Sequence, residues 1–441
     1  MISATISPKF SPYLLSRFTL LFLLLAFVGA ALSLATAQTE NILHRFNPTT
    51  TDGYNSGNGL VGDKAGNLYG VTVQGGTLGL GTVFELSPPS AGGGAWVETI
   101  LHEFAGNTDG ASPLAALAID KNGNLFGTTL SGGVGVNGNS NGTAFELSPP
   151  TVLGGSWTYT VIASFDSGVV AISPSGQLTI DAAGNLYGYS GGGNNNFINC
   201  GGNCGNIFEL QPPAVLGGAW TASSIYNFNG GTTDGFGPSG IIVGPGGVLY
   251  GTTGEGGPQD FGTFFKLTQA SGGAWTEKIL YEFTSANGAP FGGLLPGPKG
   301  SYFGTSEGPA ALGTVFELFP PSGGTGWTAS TLYDFTGGLD GSSPFGVISD
   351  RSGNLYGVNI NGAIQNPGNC LGGGCGTVYK LSPPTVLGGA WTETTLHDFA
   401  GGNSDGGNPK GPLVLRKGLL FGVTSYGGTK YSGGTVFRVT P

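Results

Sequence analysis

Histidine, cysteine and clustered carboxylates are the side chains from which a reactive site would be built, and here they are few. The chain has 3 His and 4 Cys, and 25 Asp and Glu against 15 Lys and Arg. His44, His102 and His397 each stand two residues before a phenylalanine, in a slot that Tyr226, Tyr281 and Tyr333 fill elsewhere, with Ser164 one place nearer its own phenylalanine. A general base or metal ligand needs an imidazole at one particular place. A slot that accepts His in some copies and Tyr in others reads instead as structural filler on an outer strand, which argues against a Ser-His-Asp triad. The cysteines form two close pairs, Cys200/Cys204 and Cys370/Cys375, each inside a glycine-rich loop. In an exported chain the expected product is a disulfide within each loop, with a zinc site or free thiols as alternatives.

Carboxylates recur in one pattern. Asp-Gly stands at Asp52, Asp109, Asp234, Asp340 and Asp405, with Asn287-Gly288 at the matching place in unit five. Asp-Gly is first a turn signal, because Asp bonds nearby backbone and Gly takes positive φ. The functional alternative is a ring of carboxylates on one face, holding Ca²⁺ or polar sugars; no other cofactor is expected. Aromatics outside the repeat pattern, Phe197, Phe261, Tyr426 and Tyr431, are the candidates for stacking on a sugar. Glu255, Asp260 and Glu307 are the loop acids that no other unit matches. Paired carboxylates of that kind are what a glycan hydrolase or lyase would use.

The elements that would carry these residues repeat along the chain. G-N-L-Y-G begins at Gly66, and related segments begin at Gly123, Gly184, Gly247, Gly300, Gly353 and Gly418. After each comes a loop and a G-T-V-F-like run, ending at Phe84, Phe145, Phe208, Phe265, Phe316, Tyr379 and Phe437. Six tryptophans follow, at 96, 157, 220, 275, 327 and 391, each eight residues before a phenylalanine. One unit reads as four strands: A at Leu114–Asp120, B from Leu125, C at Thr143–Leu147 and D from Trp157 to Phe165. Seven such units describe an all-β, seven-bladed β-propeller. The repeated Trp and Phe are expected to pack blade against blade.

The termini fit that ring. The last unit ends without strand D, while T-E-N-I-L-H-R-F near residue 40 matches V-E-T-I-L-H-E-F at 97–104. The N-terminal strand is therefore expected to complete blade seven, which removes the open edges. Residues 1–37 read as a signal peptide: Lys9 and Arg17, an apolar run, then Ala35-Thr36-Ala37 before Gln38. An uncleaved membrane anchor is the alternative. The propeller would then occupy 38–441. With 88 glycines in 441 residues and only 9% charged residues, a helical bundle and a coiled coil are excluded. The net charge of −10 leaves no basic patch for nucleic acid.

The repeated G-N-L-Y-G-T-T and G-T-V-F segments resemble the bacterial GloVer tandem repeat, over nearly the whole of residues 38–441. The resemblance implies an exported repeat protein, secreted, periplasmic or at the cell surface, and no settled activity. The chain departs from anchored members in ending four residues after Phe437. A more generic likeness is to NHL-type and streptogramin-lyase-like propellers. The expected function is a monomeric, non-catalytic propeller, without nucleic acid or a membrane span after signal cleavage. It would bind a glycan, a cell-envelope component or a cell-surface protein on the face of the B–C and D–A loops, where length varies most. A scaffold without a small ligand and a carboxylate-dependent glycan enzyme are the alternatives.

Overall fold

The computed structural model describes Glu40–Pro441 apart from residues 91–93, 135–140, 153, 166–171, 193–203, 216, 309–311, 324–325, 363–369, 371–372, 387 and 431. The expected signal peptide, Phe197, Cys200 and Tyr431 lie outside the described residues. Glu40–Pro441 is one compact unit. It is a seven-bladed β-propeller, with seven antiparallel sheets in a ring.

In blade 1 the strands run outward from the axis as A (Gly53–Ser56, continued at Val61–Gly62), B (Leu68–Gly75), C (Thr82–Ser87) and D (Val97–Glu103). Blades 2 to 6 follow at residues 111–164, 172–227, 235–282, 295–334 and 342–398. Blade 7 takes its three inner strands from residues 406–439 and its outer strand from Asn41–Arg45, which pairs with Thr435–Val439 through Ile42↔Phe437 and Arg45↔Thr435. The N-terminal strand therefore closes the ring, as the sequence predicts.

Strand A differs from expectation. In blade 2 it is two short pieces, Ala111–Pro113 and Ala118–Ile119, in place of one run over 114–120. The cause is local: Ser112 takes a left-handed φ of 55° immediately before Pro113. The residue before a proline is normally held extended, so this kink bends the inner strand away from its neighbour. Ser112 N–H donates to the Leu80 carbonyl of the preceding blade at 2.8 Å. Ser173, Gly237, Ser343 and Asn408 repeat the device before a proline, and Asn55 does so before Ser56.

The core lies between blades. Seven buried apolar clusters each draw on two adjacent blades. Each strand-D tryptophan meets the preceding blade, as Trp157 does Tyr69 and Trp275 does Tyr187, with ring centres 5.7 and 6.0 Å apart. On the face opposite the site described below, the A–B turns close on an aspartate. Asp63 accepts from Gly66 N–H, Asn67 N–H and Tyr69 OH, and Asp350 accepts from Asn354 and Tyr356 in the same way.

The glycine that ends each N-L-Y-G segment is a close approach. A Cβ at Gly70 would lie 2.6 Å from Phe84 Cζ and 2.9 Å from Leu60 Cδ2, both at fully or nearly fully buried side chains. Gly70→Ala is therefore expected to destabilise the propeller by about 1–3 kcal/mol through overpacking. Gly272→Ala, where nothing lies within 4 Å, should change stability by no more than about 0.5 kcal/mol. Urea unfolding of the two variants makes the comparison, and equal midpoints would remove this reading of the motif.

Candidate functional site

Register places the D–A and B–C connections on one face. Strand A begins where strand B ends, with Gly53↔Gly75 in blade 1 and Gly235↔Gly256 in blade 4. The five predicted aspartates lie in this layer but do not converge. Each closes its own D–A connection by accepting a backbone N–H: Asn47 to Asp52, Ala105 to Asp109, Asn229 to Asp234, Thr336 to Asp340 and Ala400 to Asp405, at 2.6–3.0 Å. Asp234 and Asp340 are buried. Each of these carboxylates thus serves its own turn.

The His/Tyr slot is not filler. Its side chain meets the same aspartate: His102 Nε2 lies 3.1 Å from Asp109, and Tyr226 and Tyr333 donate to Asp234 and Asp340 at 3.2 Å. Tyr281 donates to Asn287 at 2.8 Å. The sequence carries this signal. The one unit that has lost this turn also has Ala163 in place of His or Tyr.

A concave site does form on this face, over blades 3 to 6. A cavity of about 700 Å³ is lined by Glu255, Asp260 and Phe261 of blade 4, Phe291 and Glu307 of blade 5, Phe345 of blade 6 and Tyr189 of blade 3, over a floor of Gly237, Gly254 and Gly292. Glu255, Asp260 and Glu307 are exposed. Among the described residues the Glu255 and Glu307 carboxylates have no protein partner, while Asp260 accepts from Gly256 N–H at 2.9 Å. Among the described residues no Lys or Arg lines the cavity. It opens into a second hollow of about 270 Å³ along the ring axis, to which all seven blades contribute.

Blade 5 makes the room. Its inner strand is only Leu295–Pro296, and Ala289 stands before Pro290 where the other blades place a left-handed residue. An alanine disfavours positive φ, so the chain takes another path. Phe291 is carried to the cavity edge, 38% exposed, with its ring edge-on to Phe345 at 4.9 Å. Tyr189 donates to the Ser239 carbonyl at 3.1 Å, and burial pushes its phenol up to about 12.

The sequence therefore brings Phe261, Glu255, Asp260 and Glu307 to one place, whereas Tyr426 does not line the cavity and is half-buried on strand B of blade 7. Phe291 and Phe345 were missed. Their signal is the residue after the strand-A proline, which reads Leu114, Ser175, Ser239, Phe291, Phe345 and Lys410 while its neighbours stay constant. All of these except Lys410 line the cavity. Cys370 and Cys375 are joined, with Cα atoms 5.3 Å apart, and Cys204 is also disulfide-bonded. Disulfides fit an oxidising compartment. Among the described residues no helix is long and apolar enough to cross a membrane.

The profile of the Gloeobacter/Verrucomicrobia repeat matches residues 28–215 and 200–371. No curated protein sequence matches the chain. Among solved structures, the PQQ-bound aldose sugar dehydrogenase from Streptomyces coelicolor is 11% identical, over 91% of this chain and 98% of its own, with a TM-score of 0.41. A polysaccharide lyase of family PL25, an ulvan lyase bound to -[GlcA(1-4)Rha3S]-, is 10% identical over 87% of this chain and 94% of its own, with a TM-score of 0.50. At these identities the likeness is one of fold.

The clasps carry an electrostatic cost. Burial, joined by the charge of Asp234, pushes Glu277 up to about 7 beside Tyr226. Burial, opposed by a Thr395 hydrogen bond and helped by Asp340 and Asp398, pushes Glu393 up to about 7. Both carboxyls hold a proton in the folded chain that the unfolded chain releases near 4.5. Their contribution is full below pH 4.5 and is lost as pH rises through 7. The double variant Glu277→Gln/Glu393→Gln should match the parent near pH 4 and melt at a higher temperature at pH 8. An unchanged difference across that range would show that these carboxyls do not set the pH slope.

Proposed function

Since this chain belongs to the Gloeobacter/Verrucomicrobia repeat family, we propose that it is an exported, non-catalytic propeller that binds an uncharged glycan in the cavity over blades 3 to 6. The observation that carries this reading is the convergence of Glu255, Asp260 and Glu307 with the rings of Phe261, Phe291 and Phe345 on one cavity without a cation.

The chemistry is that of sugar recognition. Exposed carboxylates accept hydrogen bonds from hydroxyls, and bonds to a charged acceptor are about twice as strong as neutral ones. Aromatic faces and edges receive the apolar C–H side of a pyranose ring. A volume of about 700 Å³ lies within the range of about 300–1,000 Å³ common for ligand sites. Three carboxylates without a balancing Lys or Arg repel a uronate or sulfate group, so charge selects against acidic polysaccharides. The glycine floor brings backbone close to the ligand, and the non-repeat residues stand on a rigid repeated frame.

Isothermal titration against oligosaccharides of neutral glucans, mannans and xylans, with an oligogalacturonate as the acidic comparison, tests the proposal. Binding of a neutral class without product formation is the expected result. Phe291→Ala and Glu307→Gln should each weaken it about tenfold or more, the size of an interface hot spot. Product formation would make the chain an enzyme. Binding of the acidic oligosaccharide alone, or of none, would overturn the assignment.

A further inference from the structure

The His/Tyr–Asp clasp occurs at several blade boundaries, but two of its copies gain a third member. At the boundary of blades 7 and 1, His44 and Asp52 meet Glu98, and at that of blades 6 and 7, His397 and Asp405 meet Glu40. His44 Nε2 stands 3.3 Å from Asp52 Oδ2 and 3.5 Å from Glu98 Oε2. His397 Nε2 stands 3.5 Å from Asp405 Oδ2 and 3.7 Å from Glu40 Oε2. We propose that these are two divalent transition-metal sites, with Zn²⁺ as the reference ion, that fasten the N-terminal strand to the blades on either side of it.

The separations match those of ligands around one ion, and His44–Asp52 is also within hydrogen-bond reach. Zn–N and Zn–O bonds of about 2.0–2.2 Å place tetrahedral ligand atoms about 3.3–3.5 Å apart. A normal N–H···O bond is shorter, at about 2.9–3.0 Å. The pair without a third ligand behaves differently: His102 lies 3.1 Å from Asp109 and stacks on Tyr159, with ring centres 3.6 Å apart. In the two triads, one ring nitrogen and the second oxygens of three carboxylates are buried without a hydrogen-bond partner. They are His397 Nε2 and Glu40 Oε1 at one site, and Asp52 Oδ1 and Glu98 Oε1 at the other. Glu40 is nine-tenths buried. Unsatisfied buried polar atoms are costly, and a cation supplies what they lack.

The donor set names the ion class. One imidazole and two carboxylates suit Zn²⁺ and its first-row neighbours, with a water completing the fourth position. Ca²⁺ takes six to eight oxygens and gains nothing from imidazole. Both sites use the closing strand, since Glu40 and His44 flank Asn41–Leu43. Each site takes its other two ligands from an adjoining D strand and D–A connection. Other boundaries carry Tyr with Asp and Glu, as at Tyr226, Asp234 and Glu277, or His with Asp and Tyr. Among the described residues, the two triads are the groups where three metal-capable side chains meet.

The full chain, stripped with EDTA, is titrated with ZnSO₄ by calorimetry, and bound metal is measured after desalting. Two Zn²⁺ per chain are expected, with a higher melting temperature that EDTA reverses. Glu98→Gln and Glu40→Gln should each reduce the stoichiometry from two to one, whereas Glu393→Gln should leave it at two. If either loss variant fails to fold, Tyr159→Glu provides the converse test, because it completes a third triad with His102 and Asp109 and should raise the count to three. A folded stripped chain that takes up no Zn²⁺ overturns the proposal. So does a stoichiometry indifferent to all of these substitutions.

Discussion

The ring is held by one contact repeated at every blade boundary. The strand-D phenylalanine of each blade packs against the strand-C aromatic of the next, and the series runs unbroken through the closing strand. Phe104 meets Phe145, Phe228 meets Phe265, Phe335 meets Tyr379, Phe399 meets Phe437 and Phe46 meets Phe84, with ring centres 4.9–5.4 Å apart. Most of these rings are 0–3% exposed. Such tilted and edge-on pairs add to the burial of the rings themselves. The glycine of N-L-Y-G is what leaves room for the inner ring of each pair. Because the core lies between sheets, no blade keeps its core without its neighbour, as in other repeat proteins. The ring removes the exposed first and last units of an open array by giving them to each other.

That arrangement separates stability from recognition along each blade. Strands B, C and D carry the repeated aromatics, while the inner strand carries the kink before proline and the variable residue after it. The kink is held by a backbone hydrogen bond to the preceding blade, so it does not depend on what the next side chain is. Leu114, Ser175, Ser239, Phe291, Phe345 and Lys410 therefore vary at the axis without disturbing the packing. Blade 5 goes further by losing the kink, and its displaced Phe291 opens the cavity to Glu255 and Glu307.

The fold was legible because it rests on short-range spacing. Eight residues from Trp to Phe, the N-L-Y-G glycine and the missing last strand each encode a local contact that recurs. The site was legible only in part. Glu255, Asp260, Glu307 and Phe261 stood out as residues no other unit matches, but their convergence depends on how four blades meet at the axis. Phe291 and Phe345 were hidden because a phenylalanine in a Phe-rich chain looks like core. The aspartates were conspicuous for the opposite reason, since a turn needed at most boundaries recurs as strikingly as a binding motif would. Their pairing with His or Tyr was readable in the loss of both at one unit, a correlation that individual positions do not reveal.

The clasp also explains where the few charges of this chain are placed. A buried Asp that accepts two or more hydrogen bonds is stabilised as the anion, and a second carboxylate brought beside it is not. Burial beside such aspartates pushes Glu277 and Glu393 up to about 7, so the outer layer tolerates them as hydrogen-bonding groups in mildly acidic conditions. At the cavity the carboxylates are exposed, and among the described residues those of Glu255 and Glu307 have no protein partner. The same residue type thus does two kinds of work, set by burial alone. Acids at the blade boundaries bind the protein to itself, and those of blades 4 and 5 are the ones proposed to meet a ligand.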